Sequence, residues 1–91
     1  MSKLDYIHRL CSCMGDAYQV VWFDFENVIY RDFKNGYEIE ISGLANKKRN
    51  KIAHLYLWKN RSRVVNQKDV CPVTPEALES TIQIMLKEVS K

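Results

Sequence analysis

The sequence predicts an α+β fold: a single small domain, residues 1–91, with an N-terminal helix, an antiparallel β-meander of four to five strands and a C-terminal helix. Three observations carry this. Val28–Leu44, VIYRDFKNGYEIEISGL, is two alternating runs joined by a turn. Leu4, Ile7, Leu10, Cys11 and Met14 recur at spacings of three and four, which is helical. Thr74-Pro75-Glu76 is a helix start, with a capping hydroxyl, a proline at the first helical position and an acid near the positive helix end.

Taken in order, Ser2–Met14 is expected as the first helix, capped by Ser2 with Asp5 three residues on, and stopped by Gly15. Tyr18–Phe25, YQVVWFDF, reads as a strand. Tyr18, Val20 and Trp22 lie on one face, and Val21, Phe23 and Phe25 on the other. Apolar residues on both faces suggest a central strand or a face that meets a partner. Glu26-Asn27 is expected to turn the chain into the hairpin.

The hairpin register follows from its loop. If Lys34-Asn35-Gly36 is a type I turn closed by a left-handed glycine, Phe33 faces Tyr37, Arg31 faces Ile39 and Ile29 faces Ile41. Asp32 then faces Glu38, Tyr30 faces Glu40, and the glutamates are left outside. A two-residue Asn-Gly turn would put Phe33 opposite Glu38 and Asp32 opposite Ile39, inverting the faces. Gly43–Lys51 reads as a basic loop and Ile52–Trp58 as a strand, with Ala53, Leu55 and Leu57 on one face and His54, Tyr56 and Trp58 on the other. Lys59–Ser62 is a turn, and Arg63-Val64-Val65 begins a short last strand. Thr74–Val89 is the second helix, with Leu78, Ile82, Met85, Leu86 and Val89 as its stripe. The expected core is Leu4, Ile7, Leu10, Cys11, Val21, Phe23, Ile29, Phe33, Ile39, Ile41, Leu55, Leu57, Leu78, Ile82, Met85 and Leu86.

An apolar share of 46% is too high for disorder, and no apolar run is long enough to span a membrane. An acid and a histidine interrupt the first ten residues where a signal peptide needs an apolar core, so the expected compartment is the cytoplasm. Three cysteines, an odd number, fit a reducing environment. Charge is uneven along the chain. Six acids stand against two bases between Gly15 and Glu40, whereas Ile41–Lys68 holds eight bases and no acid. A single-sign block can steer an anionic partner.

Candidate chemistry concentrates on that block. His54, Tyr56 and Trp58 on an open sheet face, flanked by Lys47, Lys48, Arg49, Lys51, Lys59, Arg61 and Arg63, would form a macromolecule-binding surface. Rings beside cations suit bases and phosphates, so RNA or single-stranded nucleic acid is the alternative partner. Ten aromatic residues exceed what so small a core can enclose, and Tyr and Trp favour protein interfaces. The leading expectation is therefore a non-enzymatic module that binds another protein, including a second copy as a homodimer. The acidic and basic stretches would orient the pair.

No cofactor is expected: phosphate-cradling, dinucleotide and nucleophile-elbow motifs are absent. No metal is expected either, since Cys11 and Cys13 point apart on a helix and His8, His54 and Cys71 are poorly spaced. Paired carboxylates at Asp24/Glu26 and Glu38/Glu40 could hold Mg²⁺, but Ile41 and Ser42 stand where a companion lysine is needed. The element order resembles that of double-stranded RNA-binding domains. Those domains begin their last helix with lysines where this chain has Thr74-Pro75-Glu76, so no residue role carries over. The chain also resembles small phage and other mobile-element proteins, anti-CRISPR proteins among them, in size alone.

Overall fold

A computed structural model describes residues 3–45 and 52–90. Helix α1, Lys3–Met14, leads into five strands: β1 Gln19–Phe23, β2 Glu26–Asp32, β3 Tyr37–Ser42, β4 Ala53–Lys59 and β5 Arg63–Val70. Helix α2, Pro75–Val89, follows. The strands form one antiparallel meander in chain order, with β3 in the middle. The chain is a compact α+β domain of Cα radius of gyration 12.4 Å. Among the described residues, no helix is long and apolar enough to cross a membrane.

The β2–β3 register is the one set by a three-residue loop. Ile29 pairs with Ile41, Tyr30 with Glu40, Arg31 with Ile39 and Asp32 with Glu38. The Phe33 amide donates to the Tyr37 carbonyl at 3.0 Å, closing the loop. The loop is not the expected type I turn, because Lys34 as well as Gly36 has a positive φ. Asp32 and Asn35 side chains accept from the Lys34 and Tyr37 amides and hold that geometry.

The core lies between one sheet face and the two helices. Ile29, Ile39, Ile41, Ala53, Leu55 and Leu57 are fully buried, as are Leu78, Ile82 and Met85 of α2. Helix α1 packs on β1, β2 and α2, while α2 packs on β5. Polar ties fix α2 to both sheet edges. The Tyr18 hydroxyl donates to Glu79 at 2.7 Å, and Asn66 Nδ2 donates to the Met85 carbonyl at 3.3 Å. Thr74 caps α2 by accepting from the Ala77 amide. Ser2, the expected cap of α1, lies outside the described residues.

Several expectations need correction. Strand β1 is a sheet edge, and the buried Tyr18 just before it and the half-buried Val20 pack against the core under the helices, where Val21 and Phe23 were expected. The register explains this: Val20 pairs with Ile29, whose side chain faces the helices, and Val21 pairs with Val28, whose side chain does not. The turn into the hairpin is Asp24-Phe25, and Glu26-Asn27 already belongs to β2. Leu4 is 43% exposed on the outer edge of the α1 stripe, while Leu44, Val28 and Val70 are buried. The last strand does begin at Arg63 but is not short: it runs eight residues, with a bulge opposite Leu57/Trp58.

Leu57→Ala should lower unfolding free energy by about 2–5 kcal/mol, whereas Leu4→Ala should cost less than about 1 kcal/mol. Urea denaturation of the two variants checks the assignment.

Candidate functional site

The sheet face away from the helices carries the residues that chemistry could use. Its central strand contributes Glu38, Glu40 and Ser42, because these alternate with the buried Ile39 and Ile41. The carboxylates are not outside, as the hairpin pattern suggested. Glu38 is 6% exposed and Glu40 9%. Cross-strand neighbours explain the burial. Tyr30 and Tyr56 flank Glu40, and Asp32 and Trp58 flank Glu38.

Each carboxylate is satisfied differently. The Tyr30 hydroxyl donates a short hydrogen bond to Glu38 Oε2, and Arg61 Nε donates to the same oxygen at 2.9 Å. Arg61 also lies 3.8 Å from Asp32. Glu40 accepts one hydrogen bond among the described residues, from the Trp58 indole N–H at 3.1 Å. Burial raises the Glu40 pKa above the ordinary carboxylate value. The Trp58 hydrogen bond opposes that shift, and the nearby Glu26 and Asp24 add to it. Tyr30 is pushed up to about 12, by burial first and then by its hydrogen bond to Glu38.

Rings from both sides close over this centre. A flat sheet would hold β1 and β4 roughly 14 Å apart. Phe23 and Trp58 nevertheless meet edge to face with centroids 6.4 Å apart, so their side chains lean together over β2 and β3. Beneath them lies a cavity of about 330 Å³, lined by Val21, Trp22, Phe23, Val28, Tyr30, Glu38, Glu40, Trp58 and Arg61. Trp22 has the opposite strand parity and borders the cavity from the free edge of β1.

The β1–β2 turn presents a further ring. Asp24 and Phe25 have φ of 53° and 65°, the left-handed pair of a type I′ turn. Glycine and asparagine normally fill these positions. Phe25 is nevertheless 88% exposed, and Trp22 is 67% exposed beside it.

Of the sequence-predicted site residues, His54, Tyr56 and Trp58 share this open face and are half-buried. Each pairs with β3, but their polar partners are acids: His54 Nδ1 lies 2.8 Å from Asp69, and Trp58 bonds Glu40. Arg61 joins them from the β4–β5 turn. Lys59 does not, since it pairs with Tyr37 and stands 5.4 Å from that ring's centroid. Arg63 pairs with Lys59 and is exposed. Lys47, Lys48, Arg49 and Lys51 lie outside the described residues. The described part of the open face is thus aromatic and acidic rather than aromatic and basic. The prediction omitted Trp22, Phe23, Phe25, Tyr30 and the glutamates. The apolar character of both faces of YQVVWFDF was the available signal.

Among the described residues, no three His, Cys, Asp or Glu side chains converge as a metal site. No protein-family model matches the chain, and no curated protein or solved structure is significantly similar to it.

Glu40 binds its proton more tightly folded than unfolded. Its ionised form therefore costs stability above the raised folded pKa. That cost fades as pH falls from there to the ordinary value of 4.5. Glu40→Gln should match or exceed the wild type in stability at pH 7. Its advantage should vanish near the ordinary carboxylate pKa, as read by thermal denaturation across pH.

Proposed function

We propose that this protein is a non-enzymatic interaction module, of the adaptor or stoichiometric-inhibitor type, that docks another protein on the open sheet face. The observation that carries this reading is Phe25. A large aromatic residue in the left-handed region costs about 1–2 kcal/mol, and an 88% exposed ring recovers little of that inside the fold. Strain at an exposed ring supports a role for that ring in contact. Trp22, Phe23 and Trp58, which line the cavity next to this turn, add further rings, and aromatic anchors of this kind dominate protein interfaces.

Charge defines the partner's chemistry. Among the described residues, Asp24, Glu26, Glu38 and Glu40 are set against a single guanidinium, Arg61, in and around the cavity. A partner surface that is apolar with basic groups complements this, while phosphates would be repelled from these rings. The nucleic-acid alternative then depends on the Lys47–Lys51 stretch rather than on the sheet face.

A Trp22→Ser/Phe25→Ser variant should fold normally by circular dichroism. It should lose a partner that wild type retains, and that purified partner should bind Phe25→Ala at least about 30-fold more weakly, a loss of about 2 kcal/mol. Unchanged affinity in these variants would sink the proposal. So would self-association through this face on size exclusion, or salt-sensitive oligonucleotide binding as the sole interaction.

A further inference from the structure

We infer that the cavity under Phe23 and Trp58 accepts an arginine side chain of the partner protein, with Glu40 as its counter-ion. This deepens the docking proposal and rests on it. A volume of about 330 Å³ is at the small end of ligand pockets and leaves ample room for one long side chain. Its walls are flat rings, namely Trp22, Phe23, Tyr30 and Trp58. A planar guanidinium stacks on such faces and forks onto a carboxylate, which a compact ammonium does less well.

The two carboxylates at the floor differ in a way that selects the position. Glu38 already holds the Tyr30 hydroxyl and the Arg61 guanidinium. Glu40 holds only the Trp58 indole N–H on Oε1, which leaves Oε2 without a hydrogen bond among the described residues. It is 9% exposed, and Asp24 and Glu26 reinforce its negative potential. Arg61 therefore shows the chemistry at one end of the cavity, in cis, and Glu40 offers the same chemistry unfilled at the other. Among the described residues no side-chain oxygen is both sealed from solvent and unbonded, so Oε2 is reachable, and a cationic donor would be its second partner.

The test uses the full chain labelled with ¹⁵N and follows the two tryptophan indole N–H signals. N-acetyl-arginine methylamide is titrated against its citrulline counterpart, which has the same shape and no charge. The arginine probe should shift the Trp58 indole signal and saturate in the millimolar range expected of a single side chain, with at least about tenfold weaker response to citrulline. Glu40→Gln keeps the indole acceptor and should abolish the arginine preference. Equal response to the two probes overturns the inference, as does an undiminished preference in Glu40→Gln or no response at all. Failure of the broader reading would look different: the arginine probe would bind, yet the Trp22→Ser/Phe25→Ser variant would keep every partner. Conversely, loss of the partner in that variant with no arginine preference would leave the docking face standing and remove its arginine.

Discussion

Both faces of β3 are buried, and only one of them is apolar. Ile39 and Ile41 enter the core under α1 and α2, so strict alternation drives Glu38 and Glu40 to the opposite side. No local rearrangement can relieve this, because a shift of one residue would put the carboxylates in the core. The open face is built around that constraint. Tyr30, Trp58 and Arg61 supply the donors that two desolvated carboxylates require, and their bulk causes the desolvation.

Delivery of those donors depends on backbone features at the sheet ends. Asn60 and Arg61 both take left-handed φ in the β4–β5 turn, with the Ser62 amide donating to the Lys59 carbonyl at 3.1 Å. The Asn60 amide also donates to the Gly36 carbonyl at 2.7 Å, which clamps the two turns at that end together. Arg61 is thereby carried back over Glu38 and Asp32, 23 residues away from Glu38 in sequence. At the other end, Gly43 has φ +81°, and a Cβ there would lie 2.7 Å from the Ile52 carbonyl oxygen. Its amide reaches Glu26 at 3.4 Å, so the acidic rim is tied to the base of the β3–β4 connection.

The helix side shows the contrast. Arg31 has the parity of Ile29 and would be a liability in an apolar layer. It instead stacks on Phe33 and Tyr18, at 4.6 and 5.2 Å from their ring centroids. Tyr18 passes the polarity on to Glu79 of α2, and burial, reinforced by that hydrogen bond, pushes its hydroxyl up to about 12. On this side the charges are led to the rim and the centre stays dry. On the other side the charges occupy the centre and the rings form the rim. The two faces are inverted solutions to the same alternation.

Local chemistry determined the parts whose causes are local. The β2–β3 register, the cap at Thr74, the helical stripes and the division of β4 into leucines and rings could all be read from spacing, since period and turn length fix them. Tertiary structure decided which face of β1 is covered. YQVVWFDF is apolar on both sides, and only pairing of Val20 with Ile29 breaks the tie. It also decided that Glu38 and Glu40 are buried, because the rings that cover them come from β1, β2 and β4. The Trp58 and Arg61 contacts to these carboxylates span 18 and 23 residues, a reach that alternation along one strand does not encode. The left-handed Asp24-Phe25 turn escaped for the opposite reason. Asp24 tolerates that backbone but Phe25 does not favour it, and the strand ends on either side impose it.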